Sequence, residues 1–138
     1  LLGHDAVAFA GAIGQPDANS GELPCVYVEL VAGATVSDEE LKEYAINNIG
    51  EAGAKPKHLE ILKELPKTAV GKVFKPDLRK MAITRIFNQT LSEKNATAKV
   101  SGVKDDKKLG LVAQISGEAS DALIKEALQD FTIPWERS

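Results

Sequence analysis

The chain has 138 residues, of which 43% are hydrophobic and 27% charged, and its net charge is −3. Such values describe one globular domain, or one with a short appendage, able to bury a core without disulfides or a structural metal. The negative balance, with lysines interleaved among acids, argues against a nucleic-acid partner, and the single cysteine, Cys25, excludes an intrachain disulfide and any cysteine-based metal cluster.

No apolar run approaches the roughly 20 residues needed to span a bilayer, so no membrane span is expected. A reducing cytoplasm suits the lone thiol. The opening Leu1-Leu2-Gly3-His4-Asp5 has neither an initiator Met nor a basic n-region, so it reads as a cut within a longer chain rather than as a signal peptide.

Residues 6–13 are apolar and partly alternating, which predicts a strand. The Pro, Asp, Asn, Ser and Gly content of residues 14–21 predicts a turn. Residues 26–31, β-branched and aromatic, predict a second strand antiparallel to the first. Ser37-Asp38-Glu39-Glu40 has the capping-box form. It opens a helix with Leu41, Ala45, Ile46 and Ile49 at helical spacing and Gly50 as its stop. Residues 58–62 alternate as a third strand.

Pro66 to Gly71 predicts a loop, and Pro76 suits the first helical position because its missing N–H costs nothing there. The helix it opens carries Leu78, Met81, Ala82, Ile86 and Leu91 and ends in the polar stretch Ser92-Glu93-Lys94-Asn95. Two further strands, residues 97–103 and 109–115, flank a turn at 104–108. Ser120 caps a last helix whose stripe is Ile124, Ala127, Leu128 and Phe131, and Trp135 folds the end back onto this second unit. Strand, turn, strand, helix thus occurs twice, without the residue identity that would make it a repeat.

The segment richest in chemistry is Leu65-Pro66-Lys67-Thr68-Ala69-Val70-Gly71-Lys72-Val73. Pro66 gives it a stiff entry and Gly71 a permissive exit. Lys72, at a loop-to-strand junction, can reach an anion as a point charge on a long stem. It is not a phosphate loop: the preceding glycine of that motif is absent, and Val73 stands where a hydroxyl would hold Mg²⁺. Spacing alone leaves open that Lys72 is an ordinary solvated turn residue.

Residues 65–79, ending Phe74-Lys75-Pro76-Asp77-Leu78-Arg79, resemble the last motif of the adenylate-forming superfamily, which reads roughly Leu-Pro-(Arg/Lys)-Thr-x-x-Gly-Lys-(Ile/Val) with Leu-Arg further on. That superfamily comprises acyl-CoA synthetases, adenylation domains of nonribosomal peptide synthetases, and luciferases. His4-Asp5-Ala6-Val7, Gly14, Pro16-Asp17 and Gly21-Glu22 are similar to the segment opening the family's C-terminal domain, and Lys55-Pro56 to a stretch before its next strand. The likeness covers about residues 1–80.

The resemblance implies an AMP-forming carboxylate–CoA ligase that uses ATP, CoA and Mg²⁺, with the ligands bound mainly by an N-terminal adenylation domain of the same chain. It implies that Lys72 bridges the substrate carboxylate and the α-phosphate. Thr68 and Gly71 flank it as candidate cofactor-contacting positions whose first role is to shape the loop. Lys75 and Arg79 either meet phosphates of CoA or acids of the large domain, or form a solvated helix start. His4 and His58 have no partner at metal or triad spacing, so no metal site is expected, and Cys25 reads as a core strand residue.

The expected class is α+β: a small antiparallel hairpin and a small sheet flanked by helices, with a ββα-like extension. Residues 1–92 are expected to form the C-terminal lid domain and residues 93–138 the extension. The lid alone should not turn over, and selectivity for a fatty or aromatic acid would reside in the N-terminal domain. Two alternatives stand beside this reading: an adenylation domain of a peptide synthetase, and a non-catalytic regulatory or interaction module.

Overall fold

The computed structural model describes residues 5–48 and 57–138, the side chains of 45–48 excepted. His4, Ile49, Gly50, Lys55 and Pro56 lie outside the described residues, as do the side chains of Ala45 and Ile46. In chain order the elements are β1 (Val7–Asp17), β2 (Gly21–Leu30), α1 (Asp38–Asn48), β3 (His58–Leu62), α2 (Lys75–Glu93), β4 (Ala98–Asp106), β5 (Gly110–Gly117), α3 (Asp121–Leu128) and β6 (Trp135–Arg137). Two three-stranded sheets, ordered β1-β2-β3 and β4-β5-β6, bear out the α+β class. No helix among the described residues is long and apolar enough to cross a membrane.

The backbone divides into two compact units, Leu1–Gly14 with Leu23–Arg79 and Gln15–Glu22 with Lys80–Ser138. In the first, β2 and β3 run parallel from Cys25↔His58 to Glu29↔Leu62. Parallel neighbours require a crossover, and α1 lies within it. Val7, Val28, Leu41 and Leu59 form the buried centre, with Val26, Leu30 and Ile61 against it. The Ser37 hydroxyl accepts the Glu40 N–H at 3.1 Å, the first half of the expected capping box.

The turn expected at residues 14–21 is shorter than its composition implied. β1 continues through Gln15 and Pro16, both buried, and only residues 18–20 leave the strands. Asp17 is the reason. Its carboxylate accepts the N–H of Asn19 at 3.1 Å and of Ser20 at 2.8 Å, folding the link on itself. So short a link permits only an antiparallel pairing of β1 with β2.

The core of the second unit gathers Ile83, Phe87 and Leu91 of α2, Val100 of β4, Ala113 and Ile115 of β5, and Ile124 and Leu128 of α3. The buried row on α2 follows steps of four from Ile83 to Leu91. Met81, expected on the inner stripe, lies off that row and is 36% exposed. At its end the Asn95 N–H bonds to the Ser92 carbonyl and the Ala96 N–H to that of Leu91, while Asn95 takes φ 57°. This is a Schellman stop with asparagine in the left-handed position.

β4 and β5 pair antiparallel, with a register shift between Val100 and Gly102. β6 was not expected from sequence; it pairs parallel to β5, making the extension ββαβ. Arg137 fixes it. Its guanidinium donates to the carbonyls of Gly117 at 3.3 Å and Ala119 at 2.8 Å and meets Asp121 at 2.8 Å. Trp135 packs against the core of this unit, as expected.

Ser120 caps α3, its hydroxyl accepting the Leu123 N–H at 3.2 Å. Ser120→Ala is expected to cost about 1 kcal/mol in thermal or urea unfolding, and Ser120→Asp, an equally good cap, close to nothing.

Candidate functional site

Residues 65–74 form a tight hairpin, not an open loop. Lys67 and Val73 bridge antiparallel, and the Phe74 N–H donates to the Pro66 carbonyl at 2.7 Å. The Gly71 N–H donates to the Thr68 carbonyl at 3.0 Å, and the Thr68 N–H to the Lys72 carbonyl at 2.7 Å. These bonds define a three-residue hairpin loop whose last member must be left-handed. Gly71 supplies that conformation, with φ 82°.

Thr68 holds Lys72 a second time, because its hydroxyl accepts the Lys72 N–H at 3.2 Å. Both backbone polar groups of Lys72 are therefore bound to one residue. The expected loop-to-strand junction is corrected accordingly: Lys72 sits on the returning arm of the hairpin, no strand follows, and α2 begins at Lys75. The structure thus brings Thr68, Gly71 and Lys72 together. Lys75 and Arg79 are exposed at the start of α2, one turn apart.

The two lysines of the hairpin differ in environment. Lys67 Nζ lies 2.6 Å from Glu29 Oε1 and 4.4 Å from the centroid of the Phe9 ring. Lys72 is exposed, and among the described residues no acid pairs with it. Near it Val70 is 80% exposed, an apolar side chain at the hairpin tip.

Glu29 is a site residue that sequence reasoning missed. Its Oε1 accepts both the Lys67 ammonium and the Leu65 N–H, the latter at 2.9 Å. The Lys67 hydrogen bond, then that of Leu65, hold its carboxyl below the ordinary value of 4.5. The sign follows: the contribution to stability is complete above the unfolded value and is lost as pH falls through the lowered folded one. The partners are 36 and 38 positions away in sequence, so no local spacing announces them. Gly11 was missed too. A Cβ there would lie 3.0 Å from Val73 and 2.5 Å from Leu78, so the hairpin's returning arm and the start of α2 pack directly on the β1 backbone.

Of the other candidates, His58 pairs with Glu60 at 3.0 Å and meets the edge of Tyr27. Cys25 is fully buried in β2, as expected of a core residue. A side chain at Gly71 would touch nothing within 4 Å, so its cost is backbone strain alone. Gly71→Ala is expected to lower stability in urea by about 1–2 kcal/mol, with Gly71→Asn milder because asparagine tolerates that conformation.

A compact α+β unit thus presents one exposed lysine on a glycine-closed hairpin. The chain belongs to the AMP-binding enzyme C-terminal domain family, whose model matches residues 1–72. It is 39% identical over 121 residues to a marinolic acid–CoA ligase from Pseudoalteromonas, a match covering 87% of this chain and 18% of that protein. An acyl-CoA synthetase from Brucella canis is 34% identical, with a TM-score of 0.50 over 56% of this chain and 15% of its own. The o-succinylbenzoate CoA synthetase of Bacillus subtilis, solved with its acyl-adenylate intermediate, is 33% identical, with a TM-score of 0.50 over 57% of this chain and 16% of its own. The chain thus spans less than a fifth of each of these proteins.

Proposed function

We propose that this chain is the mobile C-terminal lid of an ATP-dependent, AMP-forming ligase that joins a carboxylic acid to CoA. One observation carries the reading: Lys67 is neutralised by Glu29, while Lys72 is fixed by its backbone and keeps its ammonium exposed. Residues 1–92 act as the lid and 93–138 as an appended element. The match to the marinolic acid–CoA ligase runs over 121 residues, which supports an extension shared with at least one CoA ligase.

A compact cation on a flexible stem suits a carboxylate and an α-phosphate that must approach each other. ATP supplies the activated phosphoanhydride and CoA the acceptor thiol. Mg²⁺ is held mainly by acids of the N-terminal adenylation domain together with the phosphates of ATP. Lys72 lowers the repulsion between the two anions and takes up the negative charge that builds at phosphorus, in a site with little water. The exposed Val70 helps to exclude that water when the hairpin tip enters the large domain.

Rotation of the lid then withdraws Lys72 and presents another face as part of the CoA cleft. Thr68 and Gly71 serve by setting where the ammonium can reach. The acid is a fatty or aromatic one selected by the N-terminal domain, and the enzyme works in the cytoplasm. The test compares wild type with Lys72→Ala, in the full-length chain, in two half-reactions: acid-dependent pyrophosphate release from ATP, and thioester formation from pre-made acyl-adenylate and CoA.

A further inference from the structure

We infer that Glu29 is a positioning residue for Lys72: it clamps the base of the hairpin so that adenylation, but not thioester formation, depends on it. The inference rests on the adenylation role proposed for Lys72.

The path from Glu29 to Lys72 is short and continuous. One carboxylate oxygen receives the Leu65 N–H at 2.9 Å and Lys67 Nζ at 2.6 Å. Leu65 is buried, and Lys67 also covers Phe9 of β1. The outgoing arm is thereby held to β1 and β2 through one ion pair. The next residue along that arm is Thr68, which binds both backbone polar groups of Lys72. A shift of the arm therefore reaches Lys72 without an intervening flexible residue.

The pair is shielded enough to act as a clamp. Lys67 and Glu29 are 21% and 17% exposed, and a charge-assisted bond at that depth is stronger and less screened than a surface pair. Without it the hairpin would remain closed by its own hydrogen bonds and packed on β1 through Val73, but its outgoing arm would lose its charged anchor and could tilt. Reacting groups tolerate little tilt, since a misplacement of about 1 Å can cost about 10²-fold in rate.

A merely structural pair behaves differently, because its loss lowers stability and depresses both half-reactions together. The test uses the full-length chain and both half-reactions, with a melting curve for each variant. Glu29→Gln keeps an acceptor for Leu65 and loses the charge; Lys67→Met removes the pair from the other side, so one variant decides should the other fail to fold. Each is expected to slow pyrophosphate release by about 10- to 100-fold, mainly in kcat, with thioester formation within about twofold of wild type. Lys67→Arg, which preserves the charge, should restore most of the rate. On a Lys72→Ala background Glu29→Gln should add less than about twofold, since both act through one ammonium.

Equal losses in both half-reactions would overturn the inference, as would a Glu29→Gln effect that multiplies fully with Lys72→Ala. A wild-type rate for Glu29→Gln and Lys67→Met beside a collapsed Lys72→Ala would remove the clamp and leave the role of Lys72 standing. Wild-type rates for Lys72→Ala would remove both.

Discussion

In the full-length chain, Lys72→Ala is expected to slow acid-dependent pyrophosphate release by about 10²- to 10³-fold, the usual loss for one electrostatic group at a developing charge. Thioester formation from pre-made acyl-adenylate should continue near the wild-type rate, because under the proposed rotation the lysine has left the site by then. The loss should fall chiefly on kcat, since the cation matters most where negative charge builds at phosphorus. Lys72→Arg should recover little, because a planar fork replaces a compact charge and the hairpin fixes where it starts. The melting temperature should not move: Lys72 is exposed, and the hydrogen bonds, ion pair and packing that hold the hairpin come from backbone groups and from Thr68, Lys67, Glu29, Leu65 and Val73, not from its side chain. Wild-type rates in both half-reactions would sink the assignment and bring forward the interaction-module reading.

How much of this was legible in the sequence depends on the range of the interactions involved. The capping serines, 37 and 120, bond three residues ahead, and both were read correctly from local pattern. Gly71 is local in the same sense, since a glycine closing a short turn states its own conformation. The stripe on α2 was legible at most positions. Leu78, Ala82 and Leu91 are buried as expected and Ile86 is half-buried, but Ile83 and Phe87, both buried, fall outside the expected stripe and Met81 lies off the core. Which of two adjacent apolar rows turns inward is decided by the packed partner, here β4, β5 and α3, and not by the helix itself.

What escaped altogether was long-range. Glu29 meets Leu65 and Lys67 across more than 35 positions, and strand alternation alone makes it one more outward acid. β6 has three residues, too few for a period to show. It exists because Arg137 reaches the end of β5 and the start of α3, while Lys104 meets Glu136 at 2.6 Å. For the candidate site, the sequence of residues 65–73 marked a loop and, through the family motif, singled out Lys72. What it could not show is that Lys67 is paired with Glu29 while Lys72 stays exposed.

Phe87→Ala should destabilise the second unit by about 3–5 kcal/mol, the range for deleting a buried aromatic ring. Phe87 is fully buried, and its ring lies 5.0 Å from that of Phe131 at an angle of 53°. The loss therefore combines the burial of a large side chain with a favourable aromatic pair. The surrounding Ile83, Val100, Ile115 and Ile124 belong to two helices and two strands, and no single side-chain shift can fill the space left. Urea titration is the measurement, with exposed Lys94→Ala as a control expected within about 0.5 kcal/mol of wild type. Phe87→Leu should recover more than half of the loss, since it keeps most of the apolar contact. A cost for Phe87→Ala below about 1 kcal/mol would mean that α2 buries a different row, and Met81→Ala should then be the costly change. That outcome would reverse the assignment of the inner face of α2 while leaving the hairpin of Lys72, which precedes the helix, untouched.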